Sequence, residues 1–381
     1  MKTDSFSGKL PWEGRPPIFE HVKAHLKDKN EKDRYLPDVS ENNLHWKDYT
    51  PGYNDYSLID REDPKINSKF IDRLIYLFDN YSKHARLEDK VEFYNMVKDH
   101  HIIGYMDEFF EKLSDRKIRI EYNAIELIYW MVRKAPDREV VKLGILFVGM
   151  LRNKKDLNLL TTLSQHEEFT FYVGIALFNM TPEWEVTLIK LIEPLSGHGK
   201  LLCLRYLLSN SEQEDTIEWC IRYGYQRLEM TELGVMDCMQ YCNVPDYLQK
   251  EKWDEPLTRG VQVMLLFSLQ YIEYEPVFDR IGKILYLYLR QTRGKRRGII
   301  QYFILLWADN FFKSFKENEE VVEIADITEE EFADMWIEVL QEKKKSWYAE
   351  FHMCWDLDRD KLCKHANKAF SELLMKRYDQ W

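Results

Sequence analysis

Residues 167–208, EEFTFYVGIALFNMTPEWEVTLIKLIEPLSGHGKLLCLRYLL, decide the fold class of this 381-residue chain. Their apolar residues recur at helical spacing and predict helices over 167–180, 183–193 and 199–209. The joints between them are short. Thr181-Pro182-Glu183 reads as a helix start: Thr181 is a candidate N-cap, Pro182 stands where a missing N–H costs least, and Glu183 lies in the positive first turn. Pro194 and the Gly197-His198-Gly199 turn separate the second helix from the third.

The same period extends outward in both directions. Phe70, Ile71, Leu74, Leu77 and Phe78 recur at i, i+3, i+4 and i+7 from Asn67 onward, the stripe of an amphipathic helix. Further helices are expected at about 87–99, 101–113, 119–134, 137–152 and 155–164. Downstream they are expected at about 213–223, 229–242, 245–251, 256–272, 276–291, 296–315 and 328–350. No segment of comparable length alternates as a half-buried strand does. With 15 Gly and 12 Pro the chain is also poor in punctuation, below ordinary usage of about 7% and 5%. An all-α protein is therefore expected. Six of the twelve prolines fall in the first 66 residues, which lack a sustained period. Residues 1–66 read as an irregular N-terminal arm that docks Trp12, Ile18, Phe19, Val22 and Leu26 on the body.

Several classes are excluded by composition. The first ten residues, MKTDSFSGKL, lack the apolar stretch of a secretory signal. The strongest apolar runs, 261–269 and 299–308, fall short of the ~18 residues that span a bilayer. A soluble, cytoplasmic chain with no membrane partner is expected. The six cysteines (203, 220, 238, 242, 354, 363) contain no CxxC and read as reduced core thiols.

The motifs that resemble chemistry fail on spacing. Gly197-His198-Gly199-Lys200 invites a phosphate loop, but Pro194 and Leu201 stand where Walker A needs Gly and Ser/Thr; a tight inter-helix turn is expected. His166-Glu167-Glu168-Phe169-Thr170 lacks the second His of HExxH. Asp356, Asp358 and Asp360 begin like a calcium loop, but Lys361 replaces the turn glycine. His352, Cys354, Cys363 and His365 include zinc-ligand types, yet i,i+2 pairs diverge on a helix. There is no nucleophile elbow. No metal, cofactor or catalytic residue is assigned.

Charge is more informative. The net charge is −11, and residues 317–342 alone carry eleven acids and no Lys or Arg, so the rest of the chain is balanced. Just upstream, Arg290, Arg293, Lys295, Arg296 and Arg297 crowd five cations around Gly294. This loop is the candidate partner-binding site, together with Trp184 and Trp219 as aromatic anchors, because Arg and aromatic side chains carry most interface energy. With pI ≈ 5.5 and a near-neutral body, nucleic acid is not an expected partner.

A small residue followed by an apolar burst recurs at Gly144, Gly174, Gly199, Gly234, Gly260 and Gly298, about thirty residues apart on average. This suits one helix pair per unit, with the small residue at a close helix approach. On these residues the chain resembles the HEAT-like α-solenoids over roughly 67–315. SGHGKLLCLRYLL, IEWCIRYG and MTELGVMDCMQYC resemble uncharacterised bacterial helical-repeat proteins. The resemblance implies a right-handed array of antiparallel helix pairs, and 316–381 then form an acidic linker and a C-terminal helical cap. Stacked pairs leave an extended surface, so the expected function is a non-catalytic scaffold for a protein or peptide. The alternative is a HEAT-like DNA-repair glycosylase or another all-helical enzyme.

Overall fold

The computed structural model describes residues 9–25, 35–39, 50–59, 67–249, 252–269 and 278–292, with the isolated positions 301, 304 and 308. Among the described residues every regular element is helical, and no strand is present. The helices are α1 (Ile18–His25), α2 (Tyr53–Ile59), α3 (Ser68–His84), α4 (Leu87–Lys98), α5 (Met106–Asp115), α6 (Tyr122–Lys134), α7 (Arg138–Leu151) and α8 (Leu157–Leu163). They continue with α9 (Glu167–Met180), α10 (Trp184–Ile192), α11 (His198–Asn210), α12 (Glu214–Trp219), α13 (Thr231–Tyr241), α14 (Val244–Tyr247), α15 (Glu255–Ser268) and α16 (Phe278–Thr292). The chain divides into two compact units, 1–211 and 212–381.

In the first unit α3 starts where Asn67 accepts the Lys69 N–H at 2.9 Å and ends where Ala85 turns left-handed. Its stripe, Ile71, Leu74, Ile75, Leu77 and Phe78, is buried. α7 is different: Val140 to Val148 is buried on all sides between α4, α6 and α9, as befits a helix that is apolar all round. α7 packs side by side with α9, and α9 with α11. These three run in the same direction. Lys142 meets Glu168 near the start of α7 and α9, while Gly149 meets Ala176 near their ends. Likewise Gly197, at the start of α11, meets Glu167, and Tyr206 lies 6.1 Å from Phe178 further along. A Cβ at Gly149 would stand 2.6 Å from Ala176 Cα, so close helix approach is what this glycine permits.

The arm docks in this unit. α1 buries Ile18 and Val22, and Phe19 is half-buried. Trp12 meets Trp130 and Tyr94 edge-on at 4.8 and 4.9 Å. Lys90 covers the Trp130 ring at 3.6 Å, and burial lowers its pKa to about 8.

In the second unit α12 runs into a π turn, Cys220–Gly224, against which α15 packs. Trp253 is buried and its indole N–H donates to Leu248 O at 3.0 Å. Cys203, in the first unit, and Cys220, Cys238 and Cys242 are buried free thiols; Cys354 and Cys363 lie outside the described residues. So do the acidic segment 317–342, the zinc-like set His352 to His365 and the expected C-terminal cap. No helix among the described residues is long and apolar enough to cross a membrane.

Candidate functional site

The parallel course of α7, α9 and α11 brings three helix N-termini together, where unpaired N–H groups and the helix dipoles favour negative charge. Neighbouring carboxylates answer them. Asp38, from the arm, caps α7 by accepting the Arg138 N–H at 2.9 Å, and its two oxygens also take Arg138 Nε and Nη2 at 2.9 and 2.8 Å. Glu167, from α9, caps α11: Oε1 accepts the N–H groups of Ser196 and Gly197 at 3.1 and 2.8 Å, and Oε2 that of Lys200 at 3.3 Å. Glu139, from α7, accepts the Ile102 N–H at 2.9 Å.

This explains Gly197-His198-Gly199-Lys200. The stretch is an anion-binding turn, and its anion is the carboxylate of Glu167. A Cβ at Gly199 would stand 2.3 Å from Glu167 O, so only glycine lets the two backbones approach. The adjacent His166 caps α9 through Nδ1, which accepts the Glu168 N–H at 3.3 Å.

Beside these caps lies a buried charge cluster centred on Lys142, a fully buried lysine within α7. Its Nζ lies 2.7 Å from Glu168 Oε1, 2.9 Å from Glu139 Oε1 and 2.9 Å from Asp55 Oδ2. Against the desolvation that would lower it, the three carboxylates hold Lys142 protonated above its ordinary value. Burial would raise Glu168, but Lys142 and Arg138 hold it below the carboxylate range. Glu139 is likewise held low against burial, by Lys142 and His101. The hydrogen bond to Glu139 raises His101 in return.

Asp55 is the exception. It is 1% exposed, and its polar contacts are the Lys142 ammonium at 2.9 Å and the facing Tyr172 hydroxyl, neither of which meets a carboxylate oxygen in well-directed hydrogen-bond geometry. Burial, with the repulsion of Glu139 and Glu168, outweighs the attraction of Lys142 and pushes Asp55 up to about 6. Among the described residues no three His, Cys, Asp or Glu side chains are placed to hold a metal.

Three charges of the arm meet the body in chain order: Arg15 on Asp137 through two bonds of 2.7 and 2.6 Å, Asp38 on Arg138, and Asp55 on Lys142. The α2 segment is fixed at further points. Gly52 N–H donates to Glu168 Oε2 at 2.9 Å, and Tyr53 and Tyr56 flank the His198 ring at 5.1 and 5.5 Å. Arg205 covers Tyr56 at 5.4 Å. Burial lowers His198 to about 4, and its Nδ1 lacks a hydrogen bond.

Trp184 is buried at 6% exposure, edge-on to Phe178 and Tyr206 at 5.2 and 5.6 Å. Trp219 is half-buried at the end of α12, and Arg290 is exposed in the last turn of α16. Arg293, Lys295, Arg296 and Arg297 lie outside the described residues. The sequence reading missed Lys142, although a lone lysine inside Val140 to Met150 is itself a signal: a buried cation requires acids nearby. Comparison with protein-family models, curated proteins and solved structures finds no match.

Proposed function

We propose that the protein is a non-catalytic scaffold, a HEAT-like solenoid whose helix pairs α6/α7, α8/α9 and α10/α11 are successive units, and that it binds a protein or peptide. One observation supports the reading. The first turns of α7, α9 and α11 already hold a separate stretch of chain, 50–59, by a backbone N–H, an ion pair and ring contacts. Those are the means by which repeat surfaces hold peptides. The basic loop of Arg290, Arg293, Lys295, Arg296 and Arg297 is proposed as a second contact for an acidic part of the partner, with Trp219 as an aromatic anchor; Trp184, buried against Phe178 and Tyr206, supports the core.

The test is affinity capture of the tagged full chain from its source cells, with quantitative mass spectrometry, beside a chain carrying Arg293→Glu, Arg296→Glu and Arg297→Glu. A stoichiometric companion is expected with the wild type and is expected to be lost with the triple variant at unchanged melting temperature. A chain that captures no companion overturns the scaffold reading. Capture unaffected by the triple change removes the loop from the site.

A further inference from the structure

The hold on α2 is weaker than its burial suggests. Facing Asp55 are Glu139 and Lys142 of α7, with Arg138 beside them; Glu168 and Tyr172 of α9; and His101 ahead of the turn at Ile102. From α11 comes His198, which packs on Tyr53 and Tyr56. Lys142 is a single cation shared by Asp55, Glu139 and Glu168; Arg138 is shared between Asp38 and, at 3.6 Å, Glu168, and His101 lies 3.4 Å from Glu139. A third carboxylate on Lys142 is surplus. A buried charge without directed hydrogen bonds penalises the docked state, while every other contact of α2 favours it.

We propose that α2 is a releasable latch: it fills a peptide seat on the first turns of α7, α9 and α11. The seat's partner is a peptide of the form Gly-aromatic-x-amide-aromatic, with an uncharged Asn or Gln in the place of Asp55. This rests on the scaffold reading above and names its partner chemistry. Each position follows from a contact. Gly52 has φ +76°, and a Cβ there would come within 3.0 Å of Gly199 N, so glycine is required beside the Glu168 hydrogen bond. Aromatic residues in the places of Tyr53 and Tyr56 take the faces of His198, and the second also lies under Arg205. A side-chain amide in the place of Asp55 donates to the surplus carboxylates and accepts from Tyr172 or Lys142 without adding charge. Such a peptide displaces the chain's own segment once its concentration exceeds about a tenth of that segment's effective concentration, which makes the arm an autoinhibitory occupant.

The experiment uses the full chain in two forms, wild type and a latch-released variant carrying Tyr53→Ser and Tyr56→Ser. Fluorescence anisotropy measures binding of the labelled peptide TPGYNDYSLID, residues 50–60, and of the same peptide with the Asp55→Asn change. At pH 7.5 the released variant is expected to bind the amide peptide at least about tenfold more tightly than the acidic one, the ratio that one unit of unfavourable pKa shift carries. The gap narrows toward pH 5 as the acidic peptide protonates, and the wild type binds both more weakly because its seat is filled. A helical released variant that binds neither peptide, or that prefers the acidic one, overturns the proposal. If the released variant does not fold, hydrogen exchange of amides 53–59 decides. Full-length Asp55→Asn is expected to exchange at least about tenfold more slowly there than wild type, and equal or faster exchange overturns the proposal. Peptide binding without any captured companion sinks the scaffold reading alone; a captured companion without peptide binding sinks the latch alone.

Discussion

Glu167 and Asp55 each bring a carboxylate to the first turns of the α7, α9 and α11 layer, and the two are received differently. Glu167 finds three backbone N–H groups at 2.8 to 3.3 Å. Asp55 finds one ammonium, which Glu139 and Glu168 already share, and no directed hydrogen bond. Opposite charge at 2.9 Å does not by itself make burial favourable. A carboxylate needs donors aimed at its lone pairs, and the helix N-terminus supplies them at fixed geometry. Glu167 therefore acts as a permanent joint between two helices, while Asp55 marks a segment whose docking is a close balance.

The strongest way to break this contrast is to remove the shared cation. Lys142→Met leaves buried Asp55 without its cation and leaves Glu139 and Glu168 with only the more distant His101 and Arg138. It is expected to lower the unfolding free energy by about 3–5 kcal/mol at pH 7, measured by urea denaturation. The loss should shrink at acid pH as those carboxylates protonate. A loss below about 1 kcal/mol would mean that the cluster is solvated and that the contrast with Glu167 is false.

Next in size is the joint itself. Glu167→Ala is expected to cost about 1–2 kcal/mol, the value of a lost helix cap with charge-assisted bonds. Glu167→Gln should cost less because its side-chain oxygen still accepts. Equal losses for the two variants in chemical denaturation would assign the effect to packing and not to capping.

The pH dependence sharpens the comparison. Asp55, raised from 3.8 to about 6 in the fold, contributes stability that is complete below about 3.8 and is lost as pH rises through 6. His198, lowered from 6.5 to about 4, contributes stability that is present above 6.5 and is lost as pH falls toward 4. The two oppose each other between pH 4 and 6.5. Melting temperatures taken across that window are expected to fall with acid for Asp55→Asn relative to wild type, and to rise with acid for His198→Phe relative to wild type. Parallel curves for all three proteins would show that neither group titrates as its burial demands.

The smallest effect is expected at an exposed pair of good geometry. Arg73 and Glu92 form two hydrogen bonds, 2.8 and 2.6 Å, but both side chains are 46% exposed. Removing both is expected to change stability by no more than about 0.5 kcal/mol, because solvent and salt screen such pairs. A double-mutant cycle giving 2 kcal/mol or more would show that distance, and not burial, sets the worth of the ion pairs in this protein.

The helices were legible because periodicity is local. The stripe from Ile71 to Phe78, the joint at Thr181 to Glu183 and the 167–180 helix all follow from residues a few positions apart. Thr181 shows the limit: its hydroxyl accepts the Glu183 N–H at 3.3 Å, but α10 begins at Trp184 and not at Glu183. The burial of Trp184 fits the expectation that most tryptophans lie in the core or at helix joints, but its partners Phe178 and Tyr206 come from two different helices and were not legible.

By itself the sequence determined that the described body is helical, where its joints fall to within a few residues, and that the glycine-rich turn at 197–199 is a tight joint between helices. Those properties depend on spacing along one strand of chain, where 3.6 residues per turn fixes which side chains share a face. Only the tertiary structure decided which anion fills that turn, which acids surround Lys142, and where Arg15, Asp38 and Asp55 of the arm dock. Glu167 reaches Gly197 across 30 residues, Asp38 reaches Arg138 across 100, and Arg15 reaches Asp137 across 122. Charge attraction has no period in sequence: any acid could have answered Lys142, and packing of α2, α7 and α9 selected Asp55, Glu139 and Glu168.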